Sequence, residues 1–329
     1  MKRSGTSLLL GALIAASSAT LAHAELSLIQ TINTGTLGFS GLGGGGGLTV
    51  DGNGNLIFGT NSHTVVTYNP NTDTTVSSFN SPAGDRVVST AIAPNGTLWL
   101  ALDGYSGVYS YNQSTSTALY YSASQAGFGW HNSDQVTVDS SGAVYVANFC
   151  CSANGGDIIK FQPNANPATQ GAFASYQAFN TYAATGYTGP EGVGIDKNGN
   201  VWFSQGNGVV GEFNFNNVSA GVTYTQSLGT GYSTYGQFAN DGNGDLYVTA
   251  DGGVFKLNAS TGVWSNYLTP GVSSATGLAF DAAGHMFVGN VNTVYEYAAP
   301  TPEPSTIGLG ALALAGFVAL KKRRFSSAR

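Results

Sequence analysis

Two carboxylates and three amides stand at matching places in a pattern that runs the length of the chain. Asp134 and Glu191 lie eight residues before Gly142 and Gly199, and Asn148 and Gln205 lie six residues after the same two glycines. Asn290 holds the corresponding place after Gly284. Carboxylate and amide oxygens that converge from separate segments are the ligands a hard divalent cation such as Ca²⁺ or Mg²⁺ takes. His131, in Phe128-Gly129-Trp130-His131-Asn132, precedes Asp134 by three residues and could serve as a general base. The plainer roles are that the oxygens bond loop backbone and that His131 packs on Trp130. Either role requires a fold that brings these distant segments together.

The elements that would position them recur six times. Each copy has an apolar pair, usually an Asp, a Gly three residues later and an alternating apolar-aromatic run. The phrases are LTVDGNGNLIFG from Leu48, TAIAPNGTLWLA from Thr90, VTVDSSGAVYVA from Val136, VGIDKNGNVWFS from Val193, FANDGNGDLYVT from Phe238 and LAFDAAGHMFVG from Leu278. Their glycines are 54, 96, 142, 199, 244 and 284, so the spacings are 42, 46, 57, 45 and 40 residues. A period near this length, carried by strand patterns, predicts an all-β propeller of four-stranded blades. In the fourth copy the strands read as residues 192–196, 201–204, 209–215 and 222–228. The sixth copy stops after its third strand, and a closed ring cannot leave that edge bare. The run at residues 26–32, outside any repeat, is the segment expected to complete it, giving six blades. A ring of this kind places the positions before the first strand and after the second at one mouth of the central channel.

Other groups of the right types read as structure. Asp51-x-Asn53-x-Asn55 and Asp241-x-Asn243-x-Asp245 resemble calcium loops, but Ser62 and Gly252 occupy the twelfth places where a bidentate acid belongs. They are read as hairpin turns. Residues 35–47 hold eight glycines in thirteen, with no helix start or lysine following, which argues against a phosphate cradle. His285 follows a turn glycine at the opposite face and reads as a surface residue. Tyr105, Tyr120 and Tyr121 are core-packing residues before they are a stacking platform for a sugar. Cys150 and Cys151 are the only cysteines and are adjacent, so either a strained vicinal disulfide or two thiols can result. No second Cys or His pair offers zinc spacing.

Both ends carry addresses. Lys2 and Arg3, an apolar stretch at 8–16 and Ala22-His23-Ala24 compose a secretory signal cleaved after Ala24. At the other end Pro302-Glu303-Pro304 precedes fourteen apolar or small residues, 307–320, and then Lys321-Lys322-Arg323-Arg324. At ~1.5 Å per residue the apolar run makes a helix of roughly 21 Å, a marginal transmembrane helix. Its basic end should stay cytoplasmic. Between the two ends only Arg86, Lys160, Lys197 and Lys256 oppose 16 acids, a net charge of −12. Such a body lacks the basic patch that nucleic-acid binding requires.

The tail, about the last 28 residues, resembles the PEP-CTERM sorting signal of Gram-negative bacteria. That resemblance implies recognition by an exosortase-type enzyme, a precursor held in the inner membrane through its C-terminal helix, and cutting near Pro302-Glu303-Pro304. The product would pass to the cell surface or the extracellular polysaccharide matrix. Some family names label the same module "ice-binding protein C-terminal domain", which concerns the tail and not ice. The repeats resemble the six-bladed propellers of the NHL, SMP-30 (regucalcin)/gluconolactonase and virginiamycin-B-lyase group, most closely at Gly189-Pro190-Glu191-Gly192-Val193-Gly194-Ile195-Asp196. Members of the gluconolactonase group hold a divalent metal at the mouth with Glu, Asn and Asp ligands, which implies Glu191 and Asn148 here. Lyases of the virginiamycin type use a His and Glu pair with metal; one His and one Glu can be nominated here, with no second His. The expected organisation is a signal at 1–24, a closing strand and Gly-rich lead at 25–47, a propeller at 48–299 and a sorting tail at 300–329. An exported binding or scaffold module is the first functional expectation, with extracellular polysaccharide as a partner. A metal-dependent lyase or lactonase is the second.

Overall fold

A computed structural model describes residues 26–298 apart from 39–40, 43–46, 105–106, 123–131, 150–155, 166–170, 187–188, 229–235, 251–252 and 269–274. His131, Tyr105, Cys150, Cys151, the leader and Pro302-Glu303-Pro304 with the helix after it lie outside the described residues. No helix among the described residues is long and apolar enough to cross a membrane.

Twenty-four strands form six four-stranded antiparallel sheets. The innermost strands are β2 (Leu48–Val50), β6 (Val87–Ile92), β10 (Asn132–Val138), β14 (Pro190–Ile195), β18 (Phe238–Asn240) and β22 (Gly277–Phe280). Each contacts the next, and β22 returns to β2, which closes the ring. The sixth blade takes its outer strand from the N-terminal segment. There β1 (Leu28–Asn33) pairs antiparallel with β24 (Thr293–Tyr297), from Leu28 opposite Tyr297 to Asn33 opposite Thr293. Gln30 Nε2 reinforces the closure by donating to Glu296 Oε2 at 2.5 Å and to the Pro70 carbonyl of the first blade at 3.0 Å.

The repeated phrase has a local mechanical meaning. In five blades the Asp Oδ1 accepts backbone N–H bonds from residues two and four ahead, at 2.8–3.0 Å. The turn glycine adopts φ between 75° and 86°, a conformation that penalises a side chain. The second oxygen, Oδ2, anchors the next strand. It accepts from Tyr145 Oη at 3.0 Å, Trp202 Nε1 at 3.2 Å and Tyr247 Oη at 3.1 Å, six residues after the respective Asp. The two calcium-like loops are therefore hairpin turns: Asp51 and Asp241 are spent on their own turns and the strand after them, and Asp245 pairs with Lys197 and Lys256. The second blade replaces the Asp, and Asn95 Oδ1 accepts from Thr97 N at 3.0 Å instead. In the fourth blade the third strand is β16 (Val209–Phe213), shorter than its apolar run, because Asn214 caps a 3₁₀ helix at Phe215–Ala220.

The core lies between blades. Trp99 and Tyr121 of the second blade pack on Val146 and Phe161 of the third, with ring centroids 4.9–5.6 Å apart. At the seam Ile32 joins Leu48, Phe58 and Tyr68 of the first blade and Phe287 and Val294 of the sixth. Each such side chain contributes about 1.5–3 kcal/mol by leaving water. Burial on both faces explains why runs such as Val201-Trp202-Phe203 do not alternate.

Candidate functional site

Three innermost strands carry a register shift at the same place. Pairing slips between Val87 and Ser89, between Ser133 and Gln135, and between Pro190 and Gly192, so Val88, Asp134 and Glu191 are the unpaired bulge residues. A bulge turns its side chain away from the regular pleat and toward the end of the strand. It thereby sets two acids from adjacent blades outside the regular pleat, near the start of their innermost strands. The two carboxylates lie within electrostatic reach of one another.

Asp134 is 9% exposed and Glu191 is partly buried. Asn132 Nδ2 donates to Asp134 Oδ1 at 3.2 Å and to Asp103 Oδ1 at 3.5 Å, while Asn132 Oδ1 accepts from Gly104 N at 2.7 Å. Arg86 is ion-paired with Asp103 and about two-fifths exposed. Burial raises the Asp134 carboxyl well above the usual carboxylate range; the negative charges of Glu191 and Asp103 push the same way, against Arg86. Burial also brings Glu191 to about 7. Glu191 Oε2 is shielded from solvent and has no hydrogen-bond partner among the described residues. The other oxygen, Oε1, rests over Gly206, where an added Cβ would come within 2.6 Å. A glycine there leaves room for the carboxylate and nothing more.

Asn148 and Gln205 are completely buried on the second strands of the same two blades. Asn148 lies opposite Ser133, and Gln205 opposite Pro190, each one residue before the acidic bulge. Gln205 Nε2 donates to Thr185 Oγ1 at 3.0 Å, at the end of the short helix α1 (Thr181–Thr185). Asn290, on the sixth blade, accepts from its neighbour Val291 N. His285 is more engaged than a plain surface residue. Its Nδ1 stands 3.1 Å from Asp281 Oδ2 and 3.2 Å from Glu296 Oε1, at the ring seam. Tyr121 is 2% exposed, so its ring belongs to the core and offers no stacking face. Among the described residues no group of three or more His, Cys, Asp or Glu is placed to hold a metal. A cation at the mouth would need amide oxygen beside the two carboxylates.

Below the bulges lies a glutamine lock between blades that sequence reasoning missed. Gln135 Oε1 accepts from Val193 N at 2.8 Å and Phe238 N at 3.2 Å, and its Nε2 donates to Phe238 O at 3.0 Å. Gln237 Nε2 donates to Val88 O at 3.2 Å, which ties the fifth blade to the second. The two acids thus stand next to a polar floor, and acids and floor together are called the cup below. A cavity of about 160 Å³ on the far side is lined by the remaining lengths of the inner strands. Both glutamines stand seven residues before their repeat glycines, where the other blades have Gly47, Ser89, Gly192 and Gly277. That contrast was the available signal. Arg86 was signalled only by being one of four cations in the body, and Asp103 and Asn132 by nothing in the pattern.

Residues 300–324 match the PEP-CTERM protein-sorting motif. The chain is thus an exported, membrane-processed protein of the Gram-negative type. No curated protein sequence matches it. Solved structures share the fold. A gluconolactonase from Xanthomonas campestris is 15% identical with a TM-score of 0.65, over 86% of this chain and 93% of that one. A streptogramin B lyase is 12% identical with a TM-score of 0.57, over 84% and 98%. Virginiamycin B lyase from Staphylococcus aureus is 14% identical with a TM-score of 0.56, over 83% and 99%. At these identities the likeness is one of architecture, and activity must be argued from the site.

Proposed function

We propose that this chain is an exported propeller that acts as a binding or scaffold module at the cell surface or in the extracellular matrix, with a divalent-cation site at its mouth. In this reading residues 1–24 are the export leader, and an exosortase-type enzyme processes the tail at Pro302-Glu303-Pro304. The observation that carries the cation site is the solvent-shielded, unpartnered Glu191 Oε2 beside the buried Asp134. Two buried acids repel one another when ionised, and a hard cation relieves that repulsion while supplying the missing partner. Asp134 and Glu191 would hold the ion, with Asn148, opposite Ser133 on the adjoining strand, as an amide ligand. The ion would fix the mouth and polarise an oxygen of whatever enters. Thermal unfolding in Ca²⁺, Mg²⁺ or Zn²⁺ against chelator tests this: the melting temperature rises in the wild type and stays flat in Glu191→Gln. A flat response of the wild type to all three ions removes the site.

A second reading, a metal-dependent lyase or lactonase, draws support from one feature of the same cup. Glu191 titrates at about 7, where a carboxyl can both take and return a proton at neutral pH. The activities named for the neighbouring structures give the substrates to try first, gluconolactone and virginiamycin B. Turnover of either that disappears in Glu191→Gln would establish this reading over the first.

A further inference from the structure

Asn-Gly pairs begin at residues 53, 95, 154, 198, 207 and 243, and all but Asn154 lie among the described residues. We propose that Asn95, in the hairpin between β6 and β7 (Leu98–Leu102), is a site of spontaneous deamidation, and that the repeat aspartate guards the equivalent asparagines of the first, fourth and fifth blades. Asn-Gly is the dipeptide most open to this reaction, because glycine carries no side chain to hinder its own nitrogen. The Gly96 nitrogen bonds to Asn95 Cγ, the Cγ–Nδ2 bond breaks, and ammonia leaves with the Gly96 amide proton. Water then opens the five-membered imide at either carbonyl, giving aspartate or isoaspartate.

Asn53, Asn95, Asn198, Asn207 and Asn243 are all exposed, so solvent reaches each of them. In every pair the glycine N–H is already engaged, donating to the carbonyl three residues back at 2.8–3.0 Å: Gly54 to Asp51, Gly96 to Ala93, Gly199 to Asp196, Gly208 to Gln205 and Gly244 to Asp241. A nitrogen held that way is not free to attack, so the reaction runs through the opened turn and its rate follows the open population. What differs is the bonding that keeps each turn shut. In the first blade Asp51 Oδ1 accepts from Asn53 N at 2.8 Å and Asn55 N at 2.9 Å. Asp196 does the same for Asn198 and Asn200, and Asp241 for Asn243 and Asp245. The second blade has Ala93 at that place, and the side-chain bond of its turn runs from Thr97 N to Asn95 Oδ1 itself, at 3.0 Å. It folds the carboxamide forward over the Gly96 peptide, toward the nitrogen that attacks it.

Bonds to a carboxylate are roughly twice as strong as bonds between neutral groups, so the three guarded turns open less often. Pro94 stiffens the turn of the second blade but adds no N–H bond to it. Asn207 shares the forward bond, from Val209 N at 3.1 Å, but its turn is tied to the next segment: Gly208 is buried and its carbonyl accepts from Leu228 N at 2.8 Å. Gly96 is exposed. Among the described Asn-Gly pairs, Asn95 alone lacks both the aspartate and such a tie.

The test is a time course of the purified full chain in warm, mildly alkaline buffer, with peptide mapping by mass spectrometry to read conversion and isoaspartate at each asparagine. In the native chain Asn95 should convert about tenfold faster than Asn53, Asn198 and Asn243, the change in open population that one charge-assisted bond is worth. In urea the same asparagines should convert at similar rates, since the dipeptide is the same. Two variants each move a single turn. Ala93→Asp installs the missing aspartate, with Trp99 six residues on as Trp202 is from Asp196, and should slow Asn95 about tenfold. Asp51→Ala should hasten Asn53 by a similar factor and leave Asn198 and Asn243 unchanged. Should Asp51→Ala fold poorly, Ala93→Asp still decides, because lost stability hastens conversion and cannot slow it. The inference is overturned if Asn95 is not the fastest of these in the native chain, if the same order persists in urea, or if Ala93→Asp fails to slow it.

Discussion

Replacing Glu191 by Gln should stabilise the protein, and by an amount that depends on pH. The Glu191 carboxyl moves from an ordinary value of 4.5 to about 7 because the fold buries it. An acid whose folded value is raised carries no penalty below its unfolded value. The penalty grows as pH rises from 4.5 to 7 and is complete above that. At about 1.4 kcal/mol per tenfold change in proton affinity, the full penalty is roughly 3 kcal/mol, an upper bound for a side chain that keeps some access to water. Glutamine cannot ionise, so it escapes the penalty. It also removes one of the negative charges that raise Asp134, which adds in the same direction. For a domain of this size roughly 3 kcal/mol is several degrees of melting temperature. Thermal unfolding followed by circular dichroism from pH 4 to pH 8, with chelator present, reads the difference. The two proteins should melt together near pH 4 and diverge through pH 6, with the variant higher at pH 8. A gap that is constant with pH, or a variant that melts lower at pH 8, would refute the burial argument. In the cation reading the same wild-type penalty is what a bound ion repays, so apparent affinity should increase about fivefold between pH 6 and pH 7 as Glu191 loses its proton.

Three further outcomes can be checked. Gly206→Ala brings a methyl within 2.6 Å of Glu191 Oε1, so it should suppress the cation-dependent melting shift while leaving the circular dichroism spectrum intact. Gln135→Ala leaves the buried Val193 and Phe238 N–H groups without their acceptor and should lower unfolding free energy in urea by about 2–4 kcal/mol. Glu191→Gln should show none of that loss, which separates the lock from the cup. Mass spectrometry of protein released from cells should find the chain ending near Pro304, and an intact mass reaching Arg329 would remove the processing step.

The ring was legible because its repeated signal is local. Asp139 and Gly142, like their counterparts, act on backbone groups within four residues, so their spacing survives in the linear chain and counts the blades. Strand β1 was legible for a topological reason: a sixth copy lacking one strand demanded a partner, and residues 26–32 were the spare strand. The mouth was only half legible. Offsets from a glycine place Asp134 and Glu191 at equivalent positions of adjacent blades, yet the bulges on which they sit arise from register slips on β10 and β14 that no residue type announces. The Gln135 lock depends on contacts across 58 and 103 residues of chain, and nothing local at Gln135 reports them. His285 was misjudged as merely exposed because its second carboxylate, Glu296, is supplied by a different strand.

The joint that closes the ring also decides how the molecule bears a pull. The sorting tail begins just past β24, which is not a border strand but is flanked by β23 (Met286–Asn290) on one side and β1 on the other. A final backbone bond from Ala298 N to Ser27 O extends that grip at 2.8 Å. A pull applied to the chain beyond β24 would enter through a strand clasped on both sides. Withdrawing it lengthwise means shearing two ladders together, not unzipping one bond after another. Strand β1 thus acts as the clasp on the strand through which any such load must pass.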